Sequence, residues 1–421
     1  MDGHKPIGGA EAGTEQSNLV FLCPDDVPQS PEEPSRARPK RSEKASKRRR
    51  ILTASLTALL VVSALGLFVF RDGLTGERFR QLLGRDGAET PAREAFTYET
   101  GAEQVFAPAG DGLAVAGTSS VQLLDARGQT VFRQAVSFDL PAVFACAERA
   151  LFCDLGGTEC IVAGTGGESV TLSGGKDRET LTASMNENGW FALVTAEPGY
   201  KGLVSVYNAA CEKQYEWWSG AGHVLRAAVG PDNQTLAVLT VEKDGTVLHF
   251  LALNSETPLS ETLLEGRVLY DLGYLDASTV RIIGDDGLVI AEKDGSVRGE
   301  YPLDGQFLLD YDFGSTEFTA LFVSDYRGGA GGTLLTLDAS GGVIGARELA
   351  QDTVSLSAEG KRLLVMTGGG LTMYDSGLTQ RGADGTLMTA RRAVLRPAGD
   401  ILLLSAYSAE RFSFSGKGGN G

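Results

Sequence analysis

Beyond residue 95, apolar residues come in runs of strand length closed off by Gly, Asp, Asn and Ser, and no long stretch repeats every 3.6 residues. That pattern predicts an all-β chain. One element recurs, a polar turn followed by an apolar strand: AGDGLAVAG near 109, AERALFCDL near 147, NENGWFALVT near 186, PDNQTLAVLT near 231, LDASTVRIIG near 275, GSTEFTALFVS near 314, AEGKRLLVMT near 358 and PAGDILLLSA near 397. The eight occurrences are spaced by about 38 to 46 residues, the size of a four-stranded propeller blade.

One full unit reads QVFAPA, GLAVAG, SVQLLDA and GQTVFRQAVS, four strands separated by tight turns. The second strand of each unit is apolar at nearly every position, as in Trp190-Phe191-Ala192-Leu193-Val194 and Leu402-Leu403-Leu404, so it must be covered on both faces by neighbouring blades. Later strands alternate more, as in Thr246-Val247-Leu248-His249-Phe250, which predicts one wetter face. Asp244-Gly245, Asp294-Gly295 and Asp304-Gly305 are expected at hairpin turns. The last unit stops one strand short, while EAFTYET (94–100) precedes the first unit without a partner. The expectation is an eight-bladed propeller over residues 95–415 in which that strand completes the last blade and removes both open edges. Seven blades is the alternative, should the weak unit around 142–172 be degenerate. Glycine agrees with so many turns, at 55 of 421 residues against a usual frequency of about 7%.

Before the repeats, the uncharged run from Ile51 through Leu60 to Phe70 is long enough at about 1.5 Å per residue to cross a bilayer core of about 30 Å. A retained transmembrane helix over 51–70 is expected, with a cleaved leader or a buried core helix as alternatives; the nearest cleavage-like triplet, Val62-Ser63-Ala64, lies inside the run. Lys47, Arg48, Arg49 and Arg50 close a basic cluster that begins at Arg36, which predicts a cytoplasmic N-terminus and an extracytoplasmic propeller at the cell membrane. Residues 1–50 read as a disordered tail, 71–94 as a stalk and 416–421 as a flexible C-terminus. The segment NLVFLCPDDVP (18–28) reads as a functionless tail piece, with a cytoplasmic docking peptide as the alternative. The whole chain carries a net charge of −16 while the tail is slightly basic, so the part beyond the span is strongly acidic. Nucleic acid is disfavoured as a partner there.

The passage VYNAACEKQYEWWSGAGHVLRAAVGPDNQTLAVLT (206–240), with the basic tail, the single span and the divergent repeats, resembles membrane-anchored quinoprotein-like or WD40-like propellers of Gram-positive bacteria, a family known only as a domain of unknown function. The resemblance covers residues 51–415. It implies a propeller and no catalytic residues, because that family has none assigned.

The chain's own chemistry is sparse. His4, His223 and His249 are its three histidines, and neither HExxH nor paired CxxC occurs, so no zinc site is expected. GTGGES (164–169) and YRGGAGG (326–332) lack the context of a phosphate loop and read as turns or loops. Trp190, Trp217 and Trp218 are too few for a stacked quinone site, and no cofactor is expected. Trp217-Trp218 could offer one ring outward as an aromatic contact for sugar or peptide, against the plainer reading of burial between blades. Asp285-Asp286 and Asp310-Tyr311-Asp312 lack calcium-loop spacing and read as turn residues. In LFCDLGGTECIV a Gly156-Gly157 turn would pair Leu155 with Thr158 and bring Cys153 opposite Cys160, close enough for a disulfide; free buried thiols are the alternative.

These features point to a non-enzymatic binding or scaffold module for an extracytoplasmic protein, peptide or glycan. Two rivals stand beside it: an extracytoplasmic enzyme with carboxylates converging in the funnel, and a transmembrane sensor signalling through the tail. Acids and arginines converging in the funnel favour the enzyme; a Gly- and apolar-lined channel favours the scaffold.

Overall fold

The eight apolar runs are the second strands of eight sheets. A computed structural model describes residues 95–99, 103–173, 178–328, 331–385 and 389–414. Among these residues, thirty-two strands form eight four-stranded antiparallel sheets. Seven take consecutive strands, over 105–135, 141–173, 180–218, 223–265, 269–302, 307–349 and 353–384, and are blades 1 to 7. Blade 8 combines Arg392–Leu395, Ile401–Leu404 and Ser408–Phe412 with the N-terminal strand Ala95–Thr97. The expected three-plus-one closure is therefore present, and the unit at 142–172 is a complete blade. Tyr98 fastens the junction, its hydroxyl donating to the carbonyls of Ser405 at 2.6 Å and Ser408 at 2.9 Å.

Every second strand is buried along almost its whole length, for example Phe191–Thr195 and Thr319–Ser324. The core is divided accordingly into eight clusters, one in each gap between neighbouring blades. Phe250 and Leu239 of blade 4 meet Leu272 and Ile282 of blade 5, and Leu402 of blade 8 meets Leu113 of blade 1. Each such side chain taken fully out of water contributes roughly 1.5–3 kcal/mol, so closure is held by packing as well as by the ladder.

Three local expectations change. The alternating stretch 246–250 is not wet on one face: Thr246, Leu248, His249 and Phe250 are all buried, and the polar members are bonded, Thr246 Oγ1 donating to Arg267 O at 2.9 Å. Alternation toward solvent belongs instead to the outer strands, such as Pro258–Glu265. Asp244-Gly245 and Asp294-Gly295 do sit at hairpin turns, but Asp304-Gly305 joins blade 5 to blade 6. At the blade 2 hairpin, Gly157 N donates to Asp154 O while Leu155 N is drawn to Leu140 O and Gly156 N to Thr180 O, so Leu155 and Thr158 stand outside the ladder. The expected opposition of Cys153 and Cys160 is retained.

The first strands of successive blades touch one another and are the innermost: Val105–Ala109, Pro141–Ala145, Thr180–Met185, His223–Val229, Leu269–Tyr274, Phe307–Asp312, Thr353–Glu359 and Arg392–Leu395. The turns that leave them are tied from blade to blade. Asn186 Nδ2 donates to Gly230 O at 2.9 Å, Ser315 Oγ to Gly360 O at 2.6 Å, Arg362 to Gly399 O at 3.3 Å and Arg396 to Asp111 O. Fully buried Arg281 donates to four carbonyls, those of Phe313 and Ser315 at 2.7 Å and of Tyr274 and Phe318 at 3.2 Å. One face of the ring is thereby a fixed frame around the axis. The predicted segments 1–50, 51–70, 71–94 and 416–421, with Ile51, Leu60, Phe70 and Lys47 to Arg50, lie outside the described residues. Among the described residues no helix is long and apolar enough to cross a membrane.

Candidate functional site

The inner strands of blades 3 to 7 share a device. Each carries a β-bulge near its start, between Thr180 and Thr182, Val224 and Arg226, Leu269 and Asp271, Leu308 and Asp310, and Thr353 and Ser355. The extra residue is apolar every time: Leu181, Leu225, Tyr270, Leu309 and Val354. All but half-buried Leu225 are exposed. A bulge re-aims the residues beside it, and the residue after each one is polar: Thr182, Arg226, Asp271, Asp310 and Ser355.

These polar residues interlock into a belt around the axis. Arg226 Nη1 donates to Thr182 Oγ1 at 2.8 Å, and Arg226 Nε forms an ion pair with Asp271 Oδ1 at 2.9 Å. Tyr311 donates to Asp271 Oδ2 at 2.7 Å. Thr353 Oγ1 reaches Asp310 Oδ2 at 3.3 Å, and Ser355 Oγ accepts from Ala393 N at 3.0 Å. Across the axis the Arg226 guanidinium lies over the ring of Phe144 in blade 2, 5.5 Å from its centroid. Next to the belt, Asp312 Oδ1 accepts from Gly314 N at 2.6 Å and Ala358 N at 3.2 Å. Burial nevertheless pushes its carboxyl up to about 6, and Asp310 is raised by the same cause.

Toward the fixed face, the inner strands of blades 2 to 5 and a turn of blade 6 line a cavity of about 440 Å³. Phe144, Met185, Val229, Leu272 and Tyr274 supply its apolar walls, Ser184 and Arg226 lie toward the belt, and Glu187, Asp276 and Thr316 stand in the turns at the mouth. Ser184 Oγ is buried without a hydrogen-bond partner. Glu187 and Asp276 are exposed, and no basic side chain pairs with either among the described residues. An acidic residue stands at each of the eight turns leaving the inner strands: Asp111, Glu148, Glu187, Asp232, Asp276, Glu317, Glu359 and Asp400. Two of these are offset by cations, Asp400 by Arg396 and by Arg411 at 2.9 Å and Asp232 by Lys293 at 3.9 Å, whereas Glu187 and Asp276 are not.

The funnel therefore answers both expectations at once. Charged groups do converge, but each is engaged with a neighbour: Asp271 with Arg226, Tyr311 and Leu272 N, Asp310 with Tyr311 N and Thr353, Asp312 with two backbone amides. These carboxylates are tied into the wall by the bonds they accept.

The residues singled out from the sequence lie away from the cavity. Trp217 is packed among Val204, Val206 and Val224, its ring 5.1 Å from His249, while Trp218 is 44% exposed on the outer strand of blade 3. His249 is buried between Thr240 Oγ1 at 3.0 Å and Glu261 Oε1 at 3.1 Å, an ordinary sheet position. Cys153 and Cys160 are buried with Sγ atoms 2.8 Å apart, and Thr180 Oγ1 lies 3.6 Å from Cys160. Asp286 turns a hairpin and pairs with Arg267 at 2.7 Å. No group of three or more metal-ligating side chains occurs among the described residues. Sequence reading took Asp310-Tyr311-Asp312 for turn residues, whereas they end the inner strand Phe307–Asp312, and it missed the rest of the belt and the cavity, although the inner strands carry a signal when aligned: TLT, VLR, LYD, LLD and TVS each place a bulky apolar residue before a polar one.

A family model for the family of unknown function DUF5711 matches residues 91–383. The chain belongs to that family. No curated protein matches it. Among solved structures it is similar to the dihydro-heme d1 dehydrogenase NirN in complex with DHE, at 12% identity over 68% of this chain and a TM-score of 0.51. It spans 66% of the NirN chain, just under two thirds. The C-terminal WD40 domain of Sif2 is similar at 10% identity over 76% of this chain and 97% of that one, with a TM-score of 0.54. BamB from Moraxella catarrhalis is similar at 10% identity over 76% of this chain and 98% of that one, with a TM-score of 0.50. At such identities the likeness shows a shared quinoprotein-like and WD40-like propeller fold and nothing of function.

Proposed function

We propose that this propeller is a non-enzymatic binding module, held at the cell membrane by the segment 51–70 with its N-terminus in the cytoplasm, and that its ligand site is the cavity at the mouth of the inner strands. The observation that carries the reading is the division of labour in the funnel. The belt's charged groups hold neighbouring blades to one another, whereas Ser184, Glu187 and Asp276 beneath it are left to face a cavity of about 440 Å³. A preformed, mostly apolar concavity of roughly 300–1,000 Å³ with a few polar groups is the usual form of a ligand site. Strand Ala95–Thr97 enters blade 8 from this same face, since Thr97 pairs with the start of Ser408–Phe412 and Ala95 lies further along it.

The test is native mass spectrometry of the full chain purified from its source in an uncharged detergent, beside Thr316→Trp and Trp218→Ala. Thr316 is exposed in a turn at the mouth, so its replacement fills the entrance without touching a core cluster. A co-purifying ligand should be lost from Thr316→Trp and kept by Trp218→Ala. Retention by Thr316→Trp would place the site elsewhere. The enzyme reading draws on the convergence of Arg226, Asp271 and Tyr311, and it would gain if the recovered molecule were a reaction product whose formation stops in Asp271→Asn.

A further inference from the structure

We infer that the cavity takes an ammonium or guanidinium group carried on an apolar chain, an inference that rests on the cavity being the ligand site. The walls decide the body of the ligand. Met185, Val229, Leu272 and Tyr274 present apolar and aromatic surface, which gains by covering methylenes. The mouth decides its charged end. Glu187 and Asp276 are the exposed charges there, and Asp276 is held in place by its own turn, Oδ1 accepting from Ser278 N at 2.7 Å and Ser278 Oγ at 2.9 Å.

The cavity's single basic group does not neutralise this pair. Arg226 is already engaged by Asp271, Thr182 and the Phe144 ring. Burial raises the Glu359 carboxyl on blade 7, and Glu187 across the axis adds to that rise while Arg362 opposes it. Carboxylates at the mouth that have no ion pair of their own favour a bound cation and disfavour an anion entering past them. At the inner end, Ser184 Oγ is buried and lacks a partner, and a single oxygen there can satisfy a polar atom of the ligand. An amine reaching this site could be a free small molecule or a lysine side chain of a protein, because both carry the same group on the same kind of chain.

Calorimetric titration of the full-length chain in uncharged detergent separates these cases. The probes are n-hexylamine, 1-hexanol, hexanoate, a blocked peptide with one central lysine and its Nε-acetylated form. Hexylamine should bind saturably, hexanol about tenfold more weakly and hexanoate more weakly still. Glu187→Gln with Asp276→Asn should weaken hexylamine about tenfold and leave hexanol unchanged, at an unaltered thermal midpoint. Binding of the lysine peptide but not its acetylated form identifies a protein side chain as the source; hexylamine binding without peptide binding identifies a free amine. Equal affinity for hexanol and hexylamine, or indifference to the double substitution, overturns the cation assignment and leaves the cavity as a binding site. Absence of saturable binding by every probe removes both.

Discussion

Arg226 Nε of blade 4 stands 2.9 Å from Asp271 Oδ1 of blade 5, and this ion pair is the centre of a network that reaches four blades. Arg226 holds Thr182 of blade 3 on one side, and Tyr311 of blade 6 holds the second oxygen of Asp271 on the other. Arg226→Met removes the cation and leaves the carboxylate in the channel wall. Both side chains are about a quarter exposed, so the loss should be moderate, about 1–2 kcal/mol. Arg226→Met with Asp271→Asn should cost less than Arg226→Met alone, because neither charge is then left unpaired. Urea titration of the four members of this cycle measures the difference, and strictly additive losses would show that the two residues are not coupled.

Asp312 makes stability depend on pH. Its folded carboxyl titrates at about 6 against an ordinary value of 3.8, raised by burial. The folded state therefore holds the proton more tightly than the unfolded state. The associated stability is fully present below about pH 4 and is lost as pH rises through 6. Because Asp312 is half-buried and not sealed from water, the effect should amount to about 1–2 kcal/mol. Asp312→Asn keeps an oxygen for Gly314 N and Ala358 N, so it should be more stable than the parent at pH 7.5 and equal to it at pH 4. Thermal midpoints of the two proteins across that range check this, and a constant offset would rule it out.

The blade count and its closure were legible because burial on both faces writes a continuous apolar run. Trp190 to Val194 and Leu402 to Leu404 cannot be anything but inner layers of stacked sheets. The site was not legible, for two physical reasons. Arg226, Asp271, Glu187 and Asp276 come from three consecutive blades and meet only through the packing of each blade on the next, so no local motif relates them. The bulges that aim Arg226 and Asp271 inward shift the strand by one residue, which breaks the alternation by which a facing residue is recognised. Polar residues in the middle of strands mislead in the same way: Thr246 and His249 suggested a wet face, yet hydrogen bonds let both be buried.

Arg281 is expected to be the least replaceable basic residue of the ring. It is wholly buried, has no ion pair within 4 Å among the described residues although Asp312 is near enough to favour its charge, and gives hydrogen bonds to the carbonyls of Tyr274, Phe313, Ser315 and Phe318, with its guanidinium over the Phe313 ring at 4.8 Å. Arg281→Met should cost about 3 kcal/mol or more, since it strands several carbonyls away from water. Arg281→Lys should recover only part of that loss, because an ammonium cannot match a planar fork aimed at four acceptors. Chemical denaturation of both variants measures the order. A lysine variant as stable as the parent would mean that charge alone holds the turns of blades 5 and 6.

Cys153 and Cys160 face each other across the blade 2 hairpin with no residue between them, and both are shielded from solvent. If the propeller folds outside the cytoplasm, thiol–disulfide exchange with a disulfide donor should join them. The two sulfurs form one bond, two protons and two electrons leave, and the donor is reduced to its thiols. The loop the bond closes is short, so the gain over the reduced form should be modest, about 2 kcal/mol. Peptide mapping without reductant, on protein recovered from the envelope, should find residues 153 and 160 in one cross-linked species and Cys211 free. Recovery of both as free thiols from that compartment would rule the bridge out, and Cys160→Ser should then leave the thermal midpoint independent of added reductant in parent and variant alike.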